Sequence, residues 1–234
     1  MHRDLNGKRI VVVGATGGLG TEVCRALAAK GSQLVLVARD HDRLAALSVD
    51  GVLVVEDLTQ RDAGKRIVDR AIDAYGGIDG IINVAGEVAF GPLSECTDEA
   101  MERMFAVHVL GPLRLIRAAI PHLAPGAFLA NVSAVTAEYP TAGMLAYSAS
   151  KAAITAADRA LAKELRRNRI SVIDLRPPHM NTELAQHAIE GKAPPLPPGL
   201  PPKTVAARLV RAIENDEPEV GSRDFSAHVS ASAP

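Results

Sequence analysis

Arg9-Ile-Val-Val-Val13 runs straight into Gly14-Ala-Thr-Gly-Gly-Leu-Gly20, and the reading of this stretch decides the fold. The first part is a continuous apolar, β-branched run, the pattern of a strand buried on both faces in a parallel sheet. Leu19, Val23, Ala26 and Leu27 then fall at helical spacing, and Lys30-Gly31 supplies a glycine stop, so the glycines occupy a strand-to-helix turn. Glycine there lets the backbone turn tightly, approach a pyrophosphate, and aim the N-terminal N–H groups of the helix at its charge. A plain glycine-rich turn is the alternative reading. The placement between a buried strand and a helix favours dinucleotide binding.

The same alternation continues outward. Gln33-Leu-Val-Leu-Val-Ala38 is a second buried strand, whose end is where such a unit meets the adenosine ribose. Ala38 followed by Arg39 stands there instead of an acid. A small residue and a guanidinium admit and pair with a 2′-phosphate, so NADP is expected over NAD; a solvated arginine at a strand end is the bland alternative. Val52 to Glu56 reads as a third strand ending at Asp57, an adenine neighbour, an N-cap for the next helix, or both. That helix carries Ile67, Val68, Ala71 and Ile72 on one stripe and stops at Gly76-Gly77. Ile78 to Ile82 is a fourth strand, running into the small residues Asn83-Val84-Ala85-Gly86, with a loop from Glu87 to Thr97. The spacing predicts one long apolar helix over about 98–119, with more apolar surface than one sheet-facing stripe needs, which suggests a subunit contact. Ala127 to Val132 and Ile170 to Leu175 are the fifth and sixth strands, and Glu219-Val220-Gly221 adds a short last one. The proline-rich run 193–202 reads as either a lid-like loop or a linker.

With 234 residues and 47% hydrophobic content, the chain fits one domain, here residues 1–222, followed by a flexible tail over 223–234. A net charge of -1 with interspersed signs gives no footprint for nucleic acid and no polybasic segment for a membrane surface. A small-molecule partner is expected. Cys24 and Cys96 lack any pairing or metal-ligand spacing, which suits a reducing compartment and argues against a metal site. Met1 to Arg9 has no apolar core of a signal peptide, and no run approaches the ~20 apolar residues of a membrane span, so the reading is a soluble cytoplasmic protein.

Ala146-Tyr147-Ser148-Ala149-Ser150-Lys151 opens another helix, and its Tyr147 and Lys151, four residues apart, share a face. A phenol with a reference pKa of about 10 is a poor acid or base at neutral pH, and a cation held close by lowers that value. The pair points to proton transfer at an oxygen, although such spacing also occurs on ordinary helix surfaces.

A glycine turn, Arg39, Asp57, Asn83-x-Ala85-Gly86 and Tyr147-x-x-x-Lys151, in this order, resemble the short-chain dehydrogenase/reductase family over roughly residues 7–222. The resemblance implies a Rossmann-like α/β fold, a doubly wound parallel sheet of about seven strands with helices on both faces. It implies an NAD(P)-dependent oxidoreductase in which Tyr147 is the general acid/base at a carbonyl or alcohol oxygen and Lys151 lowers its pKa and holds the nicotinamide ribose. Gly14, Gly18 and Gly20 match the G-x-x-x-G-x-G of the family, with Thr16, Gly17 and Leu19 in the same loop. Further cofactor contacts are implied at Arg39, Asp57 and Leu58, at Asn83, Ala85 and Gly86, and at Pro177 and Thr182, the last holding the carboxamide. A homo-dimer or homo-tetramer is also expected.

Departures from the pattern bear on catalysis. The usual serine thirteen residues before the tyrosine is Ala134, with Ser133 one place earlier and Thr136 a further candidate; Ser133 substitutes only if the strand has ended or bulged there. The usual asparagine is His108, which either joins a proton relay or packs as a satisfied core histidine. Val13, Val84 and Pro178 replace a threonine, an asparagine and a glycine. The competing expectation is therefore a nucleotide-binding sensor or scaffold with weak or no catalysis.

Overall fold

In a computed structural model, which describes residues 2–228, seven strands form one parallel sheet in the order β3-β2-β1-β4-β5-β6-β7. The strands are β1 (Arg9–Val13), β2 (Gln33–Ala38), β3 (Val52–Val55), β4 (Ile78–Asn83), β5 (Leu123–Val132), β6 (Ser171–Leu175) and β7 (Glu219–Val220). The helices between them are α1 (Gly18–Ala28), α2 (His41–Ala45), α3 (Ala63–Tyr75), α4 (Asp98–Phe105), α5 (Gly111–Ala119), α6 (Leu145–Leu165) and α7 (Pro202–Asn215). The order reverses at β1, which pairs with β2 on one side and β4 on the other. A crevice opens at such a switch point, beyond the carboxyl ends of the strands.

Continuous apolar strands produce two cores because successive side chains point to opposite faces. Ile10, Val12, Leu34 and Leu36 pack on one face with Val23 and Leu27 of α1 and Leu209 and Ile213 of α7. Val11, Val13, Val35 and Val37 pack on the other with Ile67 and Ala71 of α3 and Leu115 and Ile116 of α5. Each fully buried side chain of this size contributes roughly 1.5–3 kcal/mol. A one-residue slip would put every strand residue on the wrong core.

Four expectations are corrected. The long helix over 98–119 is interrupted by a π-helical segment at Ala106–Leu110, closed by Gly111 N–H donating to the Ala106 carbonyl five residues back. Pro112 explains it, since it has no N–H to offer the His108 carbonyl and its ring crowds that position. By length and composition the rod Asp98–His122 could cross a membrane, contrary to the sequence reading. Here it is a packing layer, with Met104, Leu115 and Ala119 fully buried. β5 begins at Leu123, four residues early, and its register against β4 shifts between Ile78 and Gly80, around Pro125, which lacks a donor. The folded part also runs past residue 222, because Phe225 is buried in the first core. Residues 229–234 of the expected tail lie outside the described residues.

The run 193–202 is tied at its far end: Asn181 N–H donates to the Leu200 carbonyl at 3.0 Å and Leu200 N–H to the His179 carbonyl at 2.8 Å. The loops after β4 and β6 are stitched together as well, by Phe90 N–H to the Glu190 carbonyl at 2.9 Å and Ile189 N–H to the Val88 carbonyl at 2.8 Å. These loops roof the crevice.

Candidate active site

A cleft of about 310 Å³ lies at the β1/β4 switch point. Gly14, Thr16, Gly17, Gly18, Leu19 and Gly20 form its floor, and Arg39, Asp57 and Leu58 stand at one end. Ala85, Gly86, Ser133, Tyr147, Lys151 and Thr182 stand at the other. Of the cofactor contacts expected from the sequence, Asn83 and Pro177 are not on the wall. Asn83 is buried and accepts the Ala85 N–H at 3.3 Å, shaping the turn, and the Pro177 carbonyl accepts the Val135 N–H at 2.9 Å.

The glycine turn needs glycine at two places for separate reasons. Gly14 has φ +86°, and a Cβ there would sit 2.7 Å from the Ala85 nitrogen. A Cβ on Gly20 would be driven into the Gly14 carbonyl oxygen. Gly17 is the N-cap of α1 and no side chain caps it, so the first-turn N–H groups of α1 remain available to an anion. These features fit a pyrophosphate-bearing ligand. Thr182 lies over the turn, its methyl group 2.9 Å from where a Gly18 Cβ would be.

Tyr147 and Lys151 lie on the first turns of α6, both buried, with Lys151 Nζ 5.7 Å from the centre of the Tyr147 ring. Burial pushes the tyrosine up to about 12. The sequence reading expected the opposite direction. Burial also brings Lys151 down to about 8, partly offset by the charge of Asp174, so the cation that would favour the phenolate is itself weakened by its burial. Lys151 Nζ donates to the Val132 carbonyl at 2.9 Å, which fixes the ammonium between strand and tyrosine.

His108, on the π segment, is fully engaged. Its Nε2 accepts the Glu87 N–H at 3.1 Å, so the neutral ring carries its proton on Nδ1 and donates it to Ser150 Oγ at 2.8 Å. Ser150 in turn donates to the Tyr147 carbonyl at 2.8 Å. Burial, and then the charge of Lys151, hold the imidazole well below its ordinary pKa. The ring meets Tyr147 edge-on with centroids 5.5 Å apart. Of the two readings open in the sequence, this is the satisfied core histidine, and it braces the start of α6.

Ser133 does not turn toward Tyr147. β5 has ended at Val132, the condition under which Ser133 could have substituted, yet the Ser133 hydroxyl donates to Asp174 Oδ1 of β6 at 2.6 Å and its N–H to the Leu175 carbonyl at 2.9 Å, and these bonds hold it toward β6. Ala134 takes the place beside the tyrosine, in a small apolar cluster with Val88, Phe90, Met104 and Ala146. Thr136 Oγ1 is buried and finds no partner.

Two further charged residues, Glu87 and Arg103, stand on the cleft wall. Arg103 Nε and Nη2 grip both oxygens of Glu87 at 2.7 and 2.8 Å, and Arg103 Nη1 reaches Asp57 Oδ2 at 3.4 Å. Asp57 Oδ1 accepts from Thr59 N–H and Oγ1 at 2.9 and 2.8 Å, so it caps the turn before α3 rather than the helix itself. Nothing local in the sequence signals these contacts; only the meeting of the loops after β3 and β4 with α4, which carries Arg103, brings the groups together.

Comparison with known proteins gives the kinship. A family model described as short chain dehydrogenase matches residues 8–193. A short chain dehydrogenase of Pseudocercospora fijiensis is 33% identical over 193 residues, which are 77% of this chain and 62%, under two thirds, of that protein. An uncharacterized oxidoreductase of Methylorubrum extorquens is 30% identical over 187 residues, 76% of this chain and 75% of its own length. Among solved structures, a short chain dehydrogenase from Burkholderia cenocepacia in complex with NADP superposes with a TM-score of 0.84 at 26% identity, covering 98% of this chain and 95% of that one. A short chain dehydrogenase/reductase from Burkholderia phymatum in complex with NAD superposes with a TM-score of 0.85 at 23% identity, covering 97% and 93%. The family match begins just before β1, runs past β6 and takes in every residue of the cleft described above; the chain therefore belongs to the short-chain dehydrogenase/reductase family.

Proposed function

We propose that the protein is an NADP-preferring oxidoreductase that moves hydride between the nicotinamide cofactor and a carbonyl or secondary alcohol, with Tyr147 as general acid/base assisted by Lys151. The observation that carries this reading is the pair itself, one helical turn apart and buried in the same cleft as the uncapped glycine turn. The cofactor supplies the hydride; the chain supplies the proton and the geometry. Buried with a pKa near 12, the Tyr147 hydroxyl keeps its proton and is suited to give it to a carbonyl oxygen. The phenolate left behind lies next to the Lys151 ammonium, which stabilises it until it is reprotonated. Both nitrogens of His108 are already committed, so it acts as a positioning residue for α6. Gly14, Thr16, Gly17, Gly18, Leu19 and Gly20 would cradle the pyrophosphate, Asp57 and Leu58 the adenine, and Ala85, Gly86 and Thr182 the nicotinamide half. Arg39 at the end of β2, with no acid at Ala38, supports the NADP preference. Val107, Val132, Met180 and Leu184 line the same cleft as Tyr147, and this apolar part of its wall favours an apolar substrate.

The second reading, a nucleotide-binding sensor or scaffold with weak catalysis, is favoured by one observation: Ala134 and the turned-away Ser133 leave no strand hydroxyl donating beside Tyr147. Ala134→Ser separates the two. Steady-state NADPH oxidation against a panel of apolar ketones and aldehydes should proceed with wild type and drop at least ~100-fold in Tyr147→Phe. Unchanged turnover in Tyr147→Phe overturns the mechanism. A rise of ~100-fold in Ala134→Ser over a barely active wild type supports the sensor reading.

A further inference from the structure

Arg39 already has a partner. Its Nη1 donates to Glu87 Oε1 at 2.6 Å, and that same oxygen accepts from Arg103 Nη2 at 2.8 Å while the other accepts from Arg103 Nε at 2.7 Å. The three side chains line the adenosine end of the cleft. They differ in freedom: the Glu87 side chain is 12% exposed and Arg39 is 59% exposed. Glu87 is clamped by Arg103 through two parallel bonds, and its backbone N–H is held by His108. Arg39 is the exposed arm of the cluster. Burial alone would raise the Glu87 carboxyl, but the Arg103 bonds and the charges of Arg103 and Arg39 outweigh it and hold it below its ordinary pKa, so it is an anion at neutral pH.

We infer that Glu87 is an internal counter-anion which competes with the ribose 2′-phosphate for Arg39, and so limits how strongly this protein discriminates NADPH from NADH. The inference rests on the reading that Arg39 meets that phosphate. A phosphate offers a guanidinium a charge-assisted, bidentate partner and can take Arg39 from a single carboxylate contact. When Arg39 leaves, Glu87 keeps both bonds to Arg103, so the exchange orphans no buried charge. NADH carries no phosphate at that position, and Arg39 stays with Glu87. Removing the carboxylate therefore helps only the phosphorylated nucleotide. An exposed ion pair is weak, so the gain is modest, about three- to tenfold.

The test is direct binding to the intact protein, by fluorescence titration of NADPH and NADH and by calorimetry with adenosine 2′,5′-bisphosphate against AMP. Glu87→Gln, which preserves shape and one acceptor for Arg103, should shift the NADH-to-NADPH ratio of Kd values toward NADPH by ~3- to 10-fold, and likewise the AMP-to-bisphosphate ratio. In Arg39→Ala/Glu87→Gln the shift relative to Arg39→Ala should vanish. Glu87→Asp, whose shorter carboxylate cannot serve both arginines, should give a smaller shift in the same direction and carries the test if Glu87→Gln does not fold. A ratio unchanged within about twofold in Glu87→Gln, or a shift that persists without Arg39, overturns the inference. Arg39→Ala distinguishes the underlying reading: if it does not weaken NADPH relative to NADH, the NADP preference falls first. If it does and Glu87→Gln is silent, only the role of Glu87 falls.

Discussion

Asp158 is a carboxylate on the sheet-facing side of α6 that the proposed chemistry does not use, and replacing it with asparagine should make the protein more stable as pH rises. It is 2% exposed; Oδ1 accepts from Asn131 Nδ2 at 2.7 Å, and Oδ2 has no partner. Burial pushes its pKa from 3.8 up to about 8; the Asn131 bond opposes the rise and the charge of Asp174 adds to it. Below pH 4 the carboxyl is protonated in both folded and unfolded chains and its contribution to stability is at its fullest. Between pH 4 and 8 the unfolded chain ionises freely while the folded one holds its proton, so stability falls with rising pH across that window. At pH 7 the loss has a ceiling of about 4 kcal/mol, from 1.36 kcal/mol for each unit between 3.8 and 7. Relaxation around a buried charge would reduce it to roughly 2–4 kcal/mol. An asparagine approximates the protonated acid: it is neutral and its oxygen takes the Asn131 bond, although its amide places two N–H donors where the acid has one hydroxyl. Asp158→Asn should therefore match wild type near pH 4 and exceed it by about 5–15 °C in Tm at pH 7–8, at 2–4 °C per kcal/mol for a chain of this size. Thermal unfolding of both proteins from pH 4 to 8.5 reads this directly. A Tm difference that stays constant with pH, or a wild type that gains on the variant as pH rises, refutes the reasoning.

Two further outcomes follow from the geometry of the site. Gly20→Ala forces its Cβ against Gly14 and must displace the glycine turn, so NADPH binding should weaken more than ~10-fold in a fluorescence titration, whereas a loop built only as a turn would show the loss in Tm alone. Ser150→Ala leaves the His108 Nδ1 proton without its acceptor and should cost about 1–3 kcal/mol, measured as a lower urea midpoint. If the midpoint is unchanged, the imidazole does not carry its proton on Nδ1.

How far the sequence could be read depends on the range of the interactions. β1 with its glycine turn and the stripe on α3 are local patterns of spacing, and a local pattern survives without neighbours. The π segment at Ala106–Leu110 was hidden because Pro112 fits an apolar helical run by composition while breaking its hydrogen bonding. Phe225 lies in a polar stretch and is recognisable as core only once β7 has returned the chain to the sheet. The side to which Ser133 points was left open in the sequence, and it is decided by Asp174 of β6, 41 positions away, which takes its hydroxyl although β5 has already ended at Val132.

From the sequence alone, the order of the strands, the glycine turn after β1 and the Tyr147/Lys151 pair were legible, because each is set by residues within a few positions of one another. The tertiary structure alone decided the rest: that burial raises Tyr147, that His108 is saturated by Glu87 and Ser150, that Ser133 belongs to Asp174, and that Glu87 holds Arg39 and Arg103. Those properties are set by groups 16 to 48 or more positions apart in the chain, brought together at the ends of the strands, and no spacing rule reaches that far.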